Sequence, residues 1–509
     1  MNKNIIIVNP PVPLLHYQNN WLPNYGIGVL VSFLGQHGYQ VNVEDLHLKV
    51  GWMNRLRFFQ PVKLGCFKDE KRIISYIAGA NDEKLEKLFE KIIKIGNLMR
   101  YDIVGFSIIS ENGLKLSLCL ARFLKKRGKT VIFGGAITQT AQDYSSIIEY
   151  PQVDYLIKGD GEIPMLALLD HLIKDKAIAA ADVPGLISAG NTYKEAAVFP
   201  LDDKSVPAFS DEILFYYKKL GGGKLVLPYM ISRGCPNRCT FCSFNSGKGF
   251  YHRKAETTAA ELRYLKDKYN TPYFHFCDSN MCIEADYFSE LLDEMIEKKL
   301  DIYWGGLAVP KIKSEEFFRK MYSAGFRHIY FGMESGSPAV VRRMNKGFVF
   351  EDVTEIIRMC HKSGINMIFS FIIGYIYETD EEFDQTIGFI RENIRYMSAI
   401  ELQPFSLLKA SPVFNAPARF GISIREGNYS IANELMRSVE YDELTGNIFE
   451  EKEKLTLKRY KKARNVAVRG MILRSLLSGK FLETVKRKIT GIFYSYSFNW
   501  DVYFDERKK

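Results

Sequence analysis

The sequence predicts an α/β protein: an N-terminal doubly wound, Rossmann-like domain, then a second strand–helix series and a basic, mainly helical C-terminal extension. Three observations carry this. Short apolar runs alternate with helical periodicities twice along the chain, the two series are separated by a Pro- and Gly-rich stretch, and a tight group of cysteines follows the first strand of the second series. At 509 residues the chain is too long for one ordinary domain, and 47% hydrophobic residues supply real cores. The boundaries read as 1–181, a linker over 182–224, a core over 225–421 and the extension over 422–509.

In the first series, Ile5-Ile6-Ile7-Val8 is a continuous apolar run suited to a buried parallel strand, and Gly26–His37 has the spacing of a crossover helix. Strands follow from Gln40, over Tyr101–Ser110, over Thr130–Gly135 and from Val153, with a helix through Leu114–Lys126. Such a domain binds ligands beyond the carboxyl ends of its strands, here Asn9-Pro10-Pro11, Ser107 to Ser110, Gly134-Gly135 and Gly159-Asp160-Gly161-Glu162. Glycines there let a backbone approach a large flat ligand. Lys49–Leu98 reads as an insertion, helical from Lys84 onward. In the second series, strands are expected at Lys224–Ile231, Tyr273–Asp278, Tyr303–Leu307, from His328, at Met367–Gly374 and from Glu401.

Cys235, Cys239 and Cys242 form C-x3-C-x2-C inside Arg233-Gly234-Cys235-Pro236-Asn237-Arg238-Cys239-Thr240-Phe241-Cys242. Three thiolates without a fourth would leave one iron of a [4Fe–4S] cluster open, since such clusters take four cysteines. A zinc site completed by a distant His or Cys is the alternative. Cys277 and Cys282 flank one loop, close enough in sequence to share a metal, but an auxiliary cluster would need more thiolates, so they read, like the isolated Cys66, Cys119 and Cys360, as buried structural cysteines. His252 and His275 read as packed histidines.

Thiolate chemistry and the lack of a disulfide framework favour a reducing, cytoplasmic compartment. The N-terminus is too quickly broken by Pro10-Pro11 to be a signal peptide, and no run approaches a membrane span. Net charge is +10, yet residues 452–509 hold 16 basic and 5 acidic residues, a balance of +11 that leaves the rest at −1. This tail interleaves Lys458, Arg459, Lys461, Lys462, Arg464 and Arg469 with apolar residues, as either a packed helix or a peripheral membrane contact would. Nucleic acid is not an expected partner.

The cysteine spacing, the preceding Arg-Gly and Phe241 resemble the signature of the radical S-adenosylmethionine (SAM) enzymes, in which the open iron takes the amino and carboxylate groups of SAM. From Leu225 to about Gly421 the chain resembles that family's partial (β/α)6 TIM-type barrel, with the fourth-strand motif at His328–Ser337 and the fifth strand at Met367–Gly374. Tyr375-Ile376-Tyr377-Glu378-Thr379 stands where the family more often has Pro-Gly-Glu-Thr. The N-terminal pieces Val8-Asn9-Pro10-Pro11, Tyr25-Gly26-Ile27-Gly28, Phe133-Gly134-Gly135 and Lys158–Glu162 are similar to the cobalamin-binding domain of the cobalamin (B12)-dependent, class B methyltransferase-like subfamily. His47, in Asp45-Leu46-His47-Leu48-Lys49-Val50-Gly51, departs from the cobalt-ligating D-x-H-x-x-G pattern and reads as a chance match.

The resemblance implies a [4Fe–4S] cluster on Cys235, Cys239 and Cys242. It implies SAM contacts from Phe241, Asp278, Glu334, Ser335 and Gly374, with Asn280 beside Asp278 facing SAM or substrate. It implies cobalamin contacts from Pro10, Ser107, Ser110, Gly134, Gly135, Gly159, Gly161 and Glu162. It also implies an electron donor such as flavodoxin or ferredoxin, and methylation of an unactivated carbon in a small molecule, lipid or peptide. A radical cyclase, ring-rearranging or carbon–carbon coupling enzyme of the same architecture is the alternative, and a non-catalytic cobalamin- or SAM-binding sensor is the alternative of another class. The insertion at Lys49–Leu98 and the tail are expected to shape the substrate site.

Overall fold

The computed structural model describes residues 3–11, 22–55, 62, 64–139, 145–177, 182–190, 194–195, 199–243, 250–281, 284–409, 411–425 and 439–477. The chain divides into two compact units, with the main break between Tyr217 and Lys218.

Unit 1 is built on β1 (Ile5–Asn9), α1 (Tyr25–Gln36), β2 (Val41–Asp45), α2 (Leu46–Arg55), α3 (Glu70–Ile77), α4 (Glu83–Ile95), β3 (Ile103–Ser107), α5 (Glu111–Lys125), β4 (Thr130–Gly134), β5 (Tyr155–Ile157), α6 (Glu162–Lys174) and β6 (Leu186–Ser188). Its sheet runs β2-β1-β3-β4-β5-β6, parallel except for β6. Continuous apolar runs are needed because both faces are covered. Ile6, Val8, Val104, Phe106, Val131 and Phe133 pack in one core with residues of α3, α4 and α5, while Ile5, Ile7, Ile103, Ile132 and Ile157 pack in another with α1 and α6. That is the doubly wound arrangement.

Two expectations change here. The stretch read as a linker contributes the edge strand β6 and a further helix, α7 (Asp211–Leu220), whose Tyr217 hydroxyl donates to Asp45 Oδ2 at 2.7 Å. The insertion is helical before Lys84, over α3, and Ile73, Tyr76, Ile77, Phe89, Ile92 and Ile93 bury its helices in the unit 1 core.

Unit 2 comprises β7 (Val226–Tyr229), β8 (Ser232–Arg233), β9 (Tyr251–His252), α8 (Ala255–Tyr269), β10 (Tyr273–Phe276), α9 (Ala285–Glu297), β11 (Trp304–Ala308), α10 (Glu315–Ser323), β12 (Phe326–Glu334), α11 (Pro338–Arg343), α12 (Val353–Lys362), β13 (Asn366–Ile373), α13 (Asp380–Asn393), β14 (Met397–Pro404), α14 (Pro412–Asn415), β15 (Ile422–Ile424), β16 (Tyr441–Glu443) and α15 (Phe449–Leu477). Six strands form one parallel sheet in the sequential order β7-β10-β11-β12-β13-β14, each joined to the next through helix, as a partial β/α barrel requires. The sixth strand starts four residues before the expected Glu401.

Strand alternation gives this sheet two unlike faces. Phe274, Phe276, Trp304, Ile329, Phe331, Met333, Met367, Phe369 and Phe371 are buried on one, where Trp304 meets Phe288 of α9 and Phe371 meets Phe389 of α13. The other face carries His275, Leu307, His328, Tyr330, Ser370, Ile372 and Glu401, several of them only half-buried. Side chains two strands apart meet across it. The Tyr330 hydroxyl donates to Glu401 Oε2 at 2.5 Å over β13, and the His275 and His328 rings lie parallel (3°) with their centroids 5.3 Å apart over Gly305 of β11. The two rings meet edge to edge, His275 Nδ1 lying 3.1 Å from His328 Nε2, and a Cβ on Gly305 would stand 2.0 Å from the His328 carbonyl oxygen and 2.7 Å from its ring, so only glycine fits there.

Candidate radical SAM site

The cysteine loop follows β7 at the carboxyl end of the unit 2 strands, where β/α folds gather catalytic groups. Asp278, at the end of neighbouring β10, anchors its start. The buried carboxylate accepts the backbone N–H of Ile231 (3.2 Å) and of Ser232 (2.5 Å), and the Ser232 hydroxyl at 2.6 Å. Burial pushes this carboxyl up to about 6 against those hydrogen bonds. Asp278, expected among the SAM contacts, therefore spends both oxygens on the loop.

Cys239 is buried while Cys235 and Cys242 are half-buried. Burial pushes the Cys239 thiol up to about 11, with the Lys346 ammonium opposing; a bound metal would hold it as thiolate. Among the described residues no three His, Cys, Asp or Glu side chains are placed to hold a single metal ion; in a cubane cluster each thiolate takes a different iron. Thr240 ties the loop down, its N–H donating to Met344 O at 3.0 Å and its hydroxyl lying 2.6 Å from the Tyr375 hydroxyl. Phe241 packs against the Val340–Met344–Tyr375 cluster, with Lys346 Nζ 5.6 Å from its ring centre.

Glu334 ends β12 with φ +66°, a left-handed conformation uncommon outside glycine and associated with functional sites. It caps no helix. Its Oε1 accepts from Lys346 Nζ at 2.9 Å and its Oε2 from the Ser370 hydroxyl at 3.2 Å. Burial works against the Lys346 charge, but Glu334 and the nearby thiols more than offset it, so this lysine titrates above its ordinary range. Ser335 is fully buried, its hydroxyl 3.0 Å from that of Thr386 and accepting the Ser337 N–H at 3.1 Å, so its side chain is engaged by α13 and the turn. Gly374 has φ +84°, and a Cβ there would lie 2.2 Å from Thr456 Oγ1 of α15. The packing of the C-terminal helix is one reason for that glycine.

Asn280 is the polar group left over. It is 2% exposed at the end of β10, and neither its amide oxygen nor its nitrogen has a hydrogen-bond partner among the described residues. A buried amide in that state is satisfied by a ligand or by ordered water. Three thiols on one loop and this orphaned amide fit a cluster with SAM beside it. Cys282 lies outside the described residues. His252 stacks on Tyr287 at 3.8 Å, and His275, pushed down to about 4 by burial, has its Nδ1 3.1 Å from His328 Nε2.

In unit 1 the expected cobalamin residues sort differently. The order β2-β1-β3 places the topological switch point between β1 and β3, whose ends carry Pro10 and Ser107. Gly134 and Gly161 have room, a Cβ meeting neighbours only at 3.5 and 3.7 Å, and Gly159 has φ +95°. Gly135 is required by its own chain, because a Cβ would lie 2.4 Å from Ile108 N. Ser110 caps α5 by accepting the Gly113 N–H at 3.2 Å, and the Glu162 carboxylate is locked in a buried pair with Lys204. The side chains of Ser110 and Glu162 thus hold the unit's own loops. Asn9 Oδ1 is buried without a partner among the described residues, beside a cavity of about 20 Å³ lined by Asp45, Gly28 and Phe209. His47 is in the first turn of α2, and burial lowers its pKa.

The basic tail is a packed helix over its described part. Lys452, Thr456, Arg459, Ala463 and Ala467 of α15 are buried on one face against β13, β14 and α13. Among the described residues no helix is long and apolar enough to cross a membrane.

Residues 229–390 match the Radical SAM superfamily. A protein of Pyrococcus horikoshii named as an uncharacterized methyltransferase is 25% identical over 375 residues, 70% of this chain and 75% of that protein. An anaerobic magnesium-protoporphyrin IX monomethyl ester cyclase of Rubrivivax gelatinosus is 26% identical over 343 residues, 65% of this chain and 60% of the cyclase. Among solved structures, the radical SAM methyltransferase TsrM of Kitasatospora setae, with cobalamin and a [4Fe–4S] cluster bound, superposes with a TM-score of 0.63 at 15% identity, over 91% of this chain and 89% of that one.

Proposed function

We propose that this chain, a radical SAM enzyme by its matched domain and its fold, is a cobalamin-dependent C-methyltransferase acting on an unactivated carbon of a small molecule, lipid or peptide. The carrying observation is the pairing of a three-thiol loop and the orphaned amide of Asn280 with the half-open polar face of the same sheet. Cys235, Cys239 and Cys242 would hold the cluster; Asn280, Glu334 and the turn from Gly374 would face SAM; Pro10, Ser107, Gly134, Gly159 and Gly161 would face cobalamin. Bound there, these cofactors supply one electron, a carbon-centred radical and a transferable methyl group.

The chain's own residues do the positioning. Asp278 fixes the loop's start, Thr240 its middle, and the Lys346–Glu334 pair its inner edge. The polar face offers a phenol and a carboxylate, Tyr330 and Glu401, and on the same face a hydrogen-bonded pair of histidines, His275 and His328. Burial raises the Glu401 pKa, so this carboxyl suits hydrogen bonding to substrate. Methyl transfer is supported by the methyltransferase names of the Pyrococcus and Kitasatospora proteins; the Rubrivivax cyclase supports the second reading, radical ring formation. A non-catalytic sensor has no use for three cluster thiols.

Anaerobic protein loaded with iron, sulfide and cobalamin tests this by its products. 5′-Deoxyadenosine together with S-adenosylhomocysteine supports methyl transfer, the former alone supports cyclisation or rearrangement, and neither would point to a binder. Cys239→Ala should abolish the ~400 nm cluster absorbance and SAM cleavage together, because two thiolates replace three. A retained cluster spectrum would refute the cluster assignment.

A further inference from the structure

The buried face of α15 begins with three polar residues, Lys452, Thr456 and Arg459, all under 10% exposed. A helix that merely covered a core would bury apolar ones there. All three are directed at one short segment, the turn from Gly374 to Glu378 between β13 and α13. Lys452 Nζ donates to Tyr375 O at 2.8 Å and pairs with Glu443 at 2.7 Å, and the same Glu443 Oε1 accepts the Tyr377 N–H at 2.7 Å. Arg459 Nη1 donates to Glu378 O at 2.8 Å and to Glu378 Oε2 at 3.2 Å, while its Nη2 reaches Asp380 at 2.8 Å. Glu378 Oε2 in turn accepts the Gly374 N–H at 3.0 Å. Thr456 sits where a Gly374 Cβ would be.

The turn needs such restraint, because Gly374 and Tyr377 both have positive φ, +84° and +53°, and the tyrosine is held there at a conformational cost. Its far side is equally tied. The Tyr375 hydroxyl bonds the Thr240 hydroxyl, one residue from Cys239 and one from Phe241. The turn therefore spans the distance between the C-terminal helix and the cluster loop.

We infer that Lys452 and Arg459 of the C-terminal helix are positioning residues that clamp the Gly374–Glu378 turn and thereby set the affinity for SAM at the carboxyl end of β13. The inference rests on the radical SAM reading above. It assigns the basic C-terminal helix a task inside the site, through two of its cations that are buried and used up by backbone carbonyls and carboxylates.

The test uses the full-length, anaerobically reconstituted protein carrying Arg459→Ala, with Lys452→Met as a second variant should the first fail to fold. Three quantities are read: hydrogen exchange of peptides covering Gly374–Glu378, the SAM dissociation constant by equilibrium dialysis, and iron per chain. The expected result is at least tenfold faster exchange in the turn and at least tenfold weaker SAM binding with iron unchanged. 5′-Deoxyadenosine formation should recover at saturating SAM, so that KM moves and kcat does not, and Arg459→Lys should restore part of the affinity. Unchanged exchange in a folded variant overturns the clamp. Faster exchange with unchanged SAM affinity leaves the clamp standing and overturns the assignment of SAM to this turn.

Discussion

Replacing Lys346 with Met should be among the most damaging single changes in unit 2. The Lys346 ammonium lies 2.9 Å from Glu334 Oε1, with the two side chains 6% and 11% exposed. Removing one partner leaves a buried carboxylate whose remaining described donor is the Ser370 hydroxyl at 3.2 Å. Breaking a buried pair this way costs about 3–5 kcal/mol, mostly the desolvation of the stranded charge. Set against total stabilities of about 5–15 kcal/mol, that is a large fraction. Met keeps the length of the stem, so little of the loss comes from a cavity. In the double variant Lys346→Met with Glu334→Gln no charge is stranded, and most of the stability should return. Native-state hydrogen exchange of β12 and β13 amides against urea reads the free energy of unit 2 alone, avoiding a two-state assumption for the whole chain. The four-member cycle should give a coupling of about 2–3 kcal/mol. A Lys346→Met variant within about 0.5 kcal/mol of wild type, or a coupling near zero, would refute the reasoning.

Asp278→Asn places an amide N–H₂ against either the Ile231 N–H or the Ser232 donors, costing about 1–3 kcal/mol. The wild-type carboxyl titrates at about 6, raised by burial, so its contribution to stability is fully present below the ordinary carboxyl range and is lost as pH rises through 6. The deficit of the variant should thus be larger at pH 5 than at pH 8, read as unit 2 thermal midpoints; a deficit independent of pH would count against a buried, titrating Asp278. Gly305→Ala drives a methyl to 2.0 Å from the His328 carbonyl oxygen and 2.7 Å from its ring, so β12 must shift, at a cost of about 1–3 kcal/mol, and the 3.1 Å histidine pair with it. Histidine ring proton shifts by NMR would report it, and unaltered shifts in a fully stable variant would show that this close strand approach does not need glycine.

Much of the architecture was legible because buried parallel strands write themselves as unbroken apolar runs: Ile5–Val8 and Thr130–Gly134 needed no partner to be recognised. β6 was not, since three residues of an antiparallel edge strand carry no periodicity. The cysteine loop was visible from spacing alone. The neighbouring polar letters were harder, for a serine or glutamate at a strand end looks the same whether it faces a ligand or its own chain. Ser335 faces α13, and Glu162 faces Lys204. The reverse error touches Asn280, where the sequence placed the amide at a strand end but could not show that nothing within the described protein satisfies it. Hydrophobic spacing in the tail did not single out its buried face, because the residues α15 buries first are Lys452, Thr456 and Arg459, whose partners are carbonyls and carboxylates that no hydropathy pattern records.

The two faces of the unit 2 sheet also differ in what they allow to vary. Stability is stored on the helix-packed face, where large-to-small changes at Trp304, Phe331 or Phe369 would cost about 3–5 kcal/mol. The opposite face is covered less evenly: Ile372 packs against the Val340–Met344–Tyr375 cluster, Leu307 is half-buried, and Gln403 is exposed, where exchanges usually stay within about 0.5 kcal/mol. A protein poised just above its stability threshold can drift at positions like Gln403 and hardly at all at Trp304, Phe331 or Phe369. Sequence change can therefore accumulate at the exposed end of one face without renegotiating the fold, and a library at Gln403 should remain folded where one at Phe369 should not.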